Sequence, residues 1–178
     1  MVKKLLPILL ALLMLPVIVL AEMQITDELG LLSSEEIEVL SDNIRKVEEV
    51  YVMDLAVLVT DSVPLDVSDD LHIVRDFADS YYDNRLLGMR ANASGILYLL
   101  DMKNCVIWLS TSGDMIYYVN DAREEKIIDA IYDCVIKCDY AGSIKQFTTL
   151  VNDYLWQGIE SGTYLYREIV PETQENRK

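Results

Sequence analysis

Two apolar runs, "GILYLL" (Gly95–Leu100) and "CVIWLS" (Cys105–Ser110), are separated by only four residues, "DMKN". Both are short and continuous, the pattern of strands covered on two faces. Four residues suffice for a hairpin turn, whereas a crossover to a parallel strand needs a dozen or more. The two strands must therefore be antiparallel neighbours. A third run of the same kind, "DLAVLVT" (Asp54–Thr60), reaches the first through a stretch long enough for a helix, which predicts a parallel connection.

Helical spacing accounts for the rest. Ser33 stands three residues before Glu36, a capping-box pattern, and Ile37, Leu40, Ile44, Val47 and Tyr51 follow on one face. Ser68 is placed to cap a second helix, with Leu71, Val74, Ala78 and Tyr81 or Tyr82 turned inward. That helix should fail at Asp83-Asn84 and Gly88, which are turn residues. "MIYYV" (Met115–Val119) reads as a brief fourth strand. Asn120 or Asp121 then caps a helix carrying Ile127, Ile128, Ile131 and Val135. A last helix presents Ile144, Phe147, Val151 and Leu155. The order predicts an α/β fold, a three-layer α/β/α sandwich whose mixed sheet contains a β-hairpin.

The two ends are set apart. Lys3 and Lys4 precede the apolar run Leu5–Leu20, and small residues surround a cut after Ala21, the layout of a secretory signal peptide over residues 1–21. The rival is an uncleaved membrane anchor, against which Pro7 and Pro16 count. Residues 22–158 form the expected domain and 159–178 a polar C-terminal tail. The mature chain is expected to be extracytoplasmic, secreted or at the cell surface, with no membrane span of its own. The formal charge of −15 becomes −17 once Lys3 and Lys4 are removed. Such a surface repels phosphate backbones, which excludes nucleic acid as a partner and favours cations. Cys105, Cys134 and Cys138 lack C-x-x-C spacing and accompany one histidine, His72. They are expected to be buried thiols rather than zinc ligands.

The topology also collects polar residues at one edge of the sheet. The end of the second hairpin strand lies beside the start of the first, so Ser110, Thr111, Ser112, Gly113 and Asp114 sit near Asn92–Gly95. The second helix ends there, bringing Asp79, Asp83 and Asn84, and the third begins there with Asp121. Carboxylates with hydroxyl oxygens suit a hard divalent cation, calcium or magnesium, with Asp79, Asp83 and Asp121 as its ligands. The bland alternative is a helix cap at Asp121 and a helix-ending turn at Asp83. Ser110–Ser112 could alternatively line a phosphate subsite before a helix start. A Ser-His-Asp triad is disfavoured, because His72 has no acid partner in the pattern.

With these residues in view, the chain resembles the TPM domain family over about Ile25–Gly158. The landmarks are "ITDELGLLSSEE", "VLVTDS", "FADSYYDNRLLG", "ASGILYLL", "WLSTSG", "VNDAR" and "DYAGS", in that order. The resemblance implies a Rossmann-like fold and a site that includes the acidic end of helix two and the Asp of "VNDAR". Some relatives bind calcium there. A plant thylakoid relative shows acid phosphatase activity, and a nematode relative is an accessory protein of a receptor. This chain departs from the pattern at Ser80, where relatives often carry a second acid, and at Cys138, where they carry glycine. Two functions are therefore expected: an accessory module for a membrane-associated partner that binds a divalent cation, or a weak metal-dependent acid phosphatase.

Overall fold

The computed structural model describes residues 24–65, 71–85, 87 and 94–161. Its elements run β1 (Ile25–Asp27), α1 (Ser34–Tyr51), β2 (Asp54–Thr60), α2 (Leu71–Asn84), β3 (Gly95–Asp101), β4 (Val106–Ser112), α3 (Met115–Tyr118), α4 (Asp121–Val135) and α5 (Tyr140–Gln157). The sheet order is β1-β2-β3-β4. The first three strands are parallel and β4 pairs antiparallel with β3, Gly95 opposite Ser112 and Asp101 opposite Val106. This is the expected Rossmann-like mixed sheet with its hairpin. The expected leader over residues 1–21, the expected Ser68 cap and most of the expected tail lie outside the described residues.

Strand alternation divides the core in two. Leu55, Val57, Val59, Ile96, Tyr98 and Leu100 pack with α1, α4 and α5, whereas Ala56, Leu58, Leu97 and Leu99 pack with α2. Among the described residues the layers are therefore α1, α4 and α5 with the short α3, then the sheet, then α2. Both parallel crossovers step the same way across the sheet, yet α1 and α2 cover opposite faces. Two such crossovers are of opposite hand, so one is left-handed, against the strong right-handed preference.

Because β1 is so short, a side chain completes its ladder. Val57 N–H donates to Gln24 O at 2.8 Å, and Leu55 N–H, two residues before it, donates to the buried Glu48 carboxylate at 2.9 Å. The capping box at the start of α1 is present: Glu36 N–H donates to Ser33 Oγ, and Ser33 N–H donates to Glu36 Oε2. The Ser33 N–H, then the Ser33 hydroxyl, donate to the Glu36 carboxyl and hold it below its ordinary pKa.

Three expectations are corrected. "MIYYV" is not a strand: Met115–Tyr118 form a helical turn, because Met115 and Val119, four apart, are both buried. Leu71 lies in the first turn of α2 and is exposed. The cysteines are not buried. Cys105 and Cys138 are exposed and Cys134 is half-buried, because the first two occupy turns in left-handed conformation, φ 55° and 57°.

At Cys138 the cause is a Schellman ending of α4. Asp139 N–H reaches Cys134 O, and Cys138 N–H reaches Val135 O. Val52 ends α1 in the same conformation, φ 57°. A non-glycine residue there costs about 1 kcal/mol, partly offset by the extra unfolded-state entropy of glycine. Val52→Gly and Cys138→Gly are each expected to raise stability by about 0.5–1 kcal/mol in urea unfolding.

Candidate functional site

The edge predicted to gather polar residues is where α2 ends, β3 starts, β4 ends and α4 begins. Helix α2 is fixed there by Val74, Ala78 and Tyr82, buried against the sheet. Beyond them the Tyr81 hydroxyl donates to Thr26 Oγ1 at 2.8 Å. Arg85 reaches the same oxygen at 3.2 Å, with its guanidinium over the Tyr81 ring. The opposite surface of α2 leaves Asp79 and Asp83 exposed, one helical turn apart. The Ser110 hydroxyl donates to Asp79 Oδ1 at 2.7 Å, joining β4 to α2.

Close backbone approach sets the floor of this edge. A β-carbon on Gly95 would lie 2.5 Å from Asp54 O and from the Tyr82 hydroxyl oxygen, so only glycine fits between β2 and α2. The buried Ser94 was not singled out by sequence reasoning, yet its hydroxyl accepts Asp114 N–H at 2.8 Å, pinning the turn after β4. Gly113 makes that turn at φ 60°. Ser110 and Ser112 project to the α2 face of the sheet, and Thr111 to the other, as alternation requires.

Asn120, not Asp121, caps α4: its Oδ1 accepts Arg123 N–H at 3.1 Å. Asp121 is the first helical residue and is exposed. Because α4 and α2 cover opposite faces, Asp121 shares the edge with Asp79 and Asp83 but stands across the sheet from them. Among the described residues, no three His, Cys, Asp or Glu side chains gather into a group able to hold a metal ion. His72 lies exposed at the far end of α2, away from Ser110–Ser112.

Arg123 is not available as a phosphate clamp. It is 3% exposed and donates to Tyr118 O at 2.7 Å and Gly158 O at 2.9 Å, with its guanidinium over the Tyr154 ring. Its Nε lies 3.2 Å from Glu160 Oε1, and Asn120 donates to Glu160 Oε2 at 2.7 Å. The Asn120 bond, then the charges of Arg123 and Lys126, hold the Glu160 carboxyl below its ordinary pKa. The clasp thus ties Gly158 and Glu160 to the start of α4. No sequence pattern announced this clasp, since its partners are 35 residues apart.

Glu124 is the other acid that pattern reading missed. Its carboxyl pKa is raised by burial and then by the charge of Asp121. The folded state holds this proton more tightly than the unfolded chain. The stability it contributes is present below the ordinary carboxylate range and lost as pH rises through the raised value. Glu124→Gln is expected to raise the thermal midpoint at neutral pH and leave it unchanged at about pH 3, below the unfolded value.

The fold is shared with three solution structures. An N-terminal domain of a protein from P. gingivalis matches at TM-score 0.63 and 21% identity, covering 83% of this chain and 91% of that one. The N-terminal domain of the cg2496 protein from Corynebacterium glutamicum matches at 0.56 and 16%, covering 75% and 80%. The BA42 protein of Bizionia argentinensis matches at 0.55 and 18%, covering 69% and 83%. No curated protein matches the sequence. A family model for the TPM domain, labelled TPM phosphatase, matches residues 25–154. The chain belongs to the TPM domain family.

Proposed function

We propose that the chain is an extracytoplasmic, non-catalytic accessory module that binds a divalent cation, calcium or magnesium, on its acidic edge and acts on a membrane-associated partner. The observation that carries the cation is the Ser110 bond to Asp79, which orients one carboxylate beside the exposed Asp83. Carboxylate and hydroxyl oxygens suit a hard ion, and two carboxylates plus water give weak binding. Asp79 and Asp83 would hold the ion, and Asp121 would add negative charge at the same edge. When bound, the ion would neutralise part of a surface whose formal charge is −15. The export assignment is supported by the Lys3-Lys4, Leu5–Leu20 and Ala21 layout. Among the described residues, no helix is long and apolar enough to cross a membrane.

The phosphatase reading draws its support from the label of the family model. In it Asp79, Asp83 and Asp121 hold the metal and Ser110 or Thr111 orients phosphate. Phosphoryl chemistry also relies on cationic clamps. Arg123 is buried on backbone carbonyls, and Arg85 is engaged with Thr26 and Tyr81. That occupancy favours the non-catalytic reading. Titration calorimetry tests the cation directly: millimolar binding of calcium or magnesium is expected, and silence at those concentrations removes it. Hydrolysis of an aryl phosphate faster than by Asp121→Asn would instead favour the enzyme.

A further inference from the structure

We infer that the outer edge of β4, which pairs with no strand among the described residues, is a strand-addition site for an extended, cationic peptide segment of a partner protein. Natural sheets protect edge strands by shortness, charge, proline or a bulge. The edge at β1 follows this rule, with three residues. The edge at β4 does not. Val106–Ser112 is seven residues long and contains no charged residue and no proline. It pairs with β3 at all seven positions without a bulge. Among the described residues, no hydrogen bond from any other element reaches its backbone.

Charge selects the occupant. A second copy would bring another formal charge of −15 to the same edge, and like charges oppose association. A cationic strand is attracted instead, and the exposed Asp79, held by Ser110 at the rim end of β4, is placed to meet it. Lys103, in the turn at the other end, directs the peptide's cations to the Asp79 end. Strand addition would supply affinity through the backbone. Alternate side chains would supply specificity: a Lys or Arg beside Ser110 and Asp79, and an uncharged residue two positions away beside Trp108. This surface gives the proposed membrane-associated partner a chemistry without depending on the cation.

The test uses the isotope-labelled protein in chelator, so that it stands or falls apart from metal binding. The probe is a capped octapeptide of valine and threonine with two lysines two residues apart. Saturable amide shifts confined to residues 106–112 and their contacts are expected. Binding should be lost when alternate backbone amides of the peptide are N-methylated. It should weaken about twofold to fivefold in Asp79→Asn, which keeps the acceptor but removes the charge. No shift at millimolar peptide would overturn the inference, as would equal binding of the N-methylated peptide. Equal binding of a counterpart with two glutamates would overturn the cationic occupant. So would a concentration-dependent dimer, seen by sedimentation, that protects the same amides.

Discussion

Arg123→Met is expected to destabilise the fold by about 2–4 kcal/mol, the cost of leaving two backbone carbonyls without their charged donor. The midpoint of thermal unfolding should fall on the order of 10 °C. The reason lies in what the guanidinium holds. It bonds Tyr118 O before α4 and Gly158 O after α5, two carbonyls 40 residues apart. Methionine fills much of the volume but leaves both carbonyls without this donor. Glu160→Gln removes only the exposed end of the same clasp and should cost far less, since solvent screens an exposed ion pair. Urea unfolding of the two variants separates these effects. A similar small loss in both would mean that the buried bonds contribute little.

Gly95→Ala is expected to cost about 3 kcal/mol through overpacking. The added methyl meets Asp54 O and the Tyr82 hydroxyl oxygen, each at 2.5 Å. The tyrosine can be trimmed but the carbonyl cannot, since Asp54 is paired with Gly95 in the β2–β3 ladder. Adding Tyr82→Phe should therefore restore only part of the stability. Full restoration would show that the backbone contact is slack, and that the tyrosine alone demands glycine.

Much of this architecture is legible in the sequence. Four residues between two apolar runs dictated the hairpin, and Ser33 with Glu36 marked the start of α1. The strand β1 escaped because three residues carry no period. "MIYYV" misled because its residues favour strands. The stronger signal was the four-residue spacing of Met115 and Val119, both buried. At the candidate site, the shared edge of Asp79, Asp83 and Asp121 followed from strand directions. Their division between two faces did not, because no local pattern says which face α4 takes after the hairpin. Ser94, Glu124 and Glu160 were invisible for a related reason. Their roles come from neighbours distant in sequence or from burial, and neither has a local pattern.

The most direct measurement is thermal unfolding of the protein in calcium, magnesium or chelator, alongside Asp83→Asn and Asp121→Asn. An ion that binds only the folded state raises the midpoint, by about 1.4 kcal/mol of stability at tenfold excess over its dissociation constant. The account expects a calcium- or magnesium-dependent rise in the unaltered protein, lost in Asp83→Asn and diminished in Asp121→Asn. A midpoint indifferent to both ions and chelator, or a rise that survives in Asp83→Asn, would contradict it.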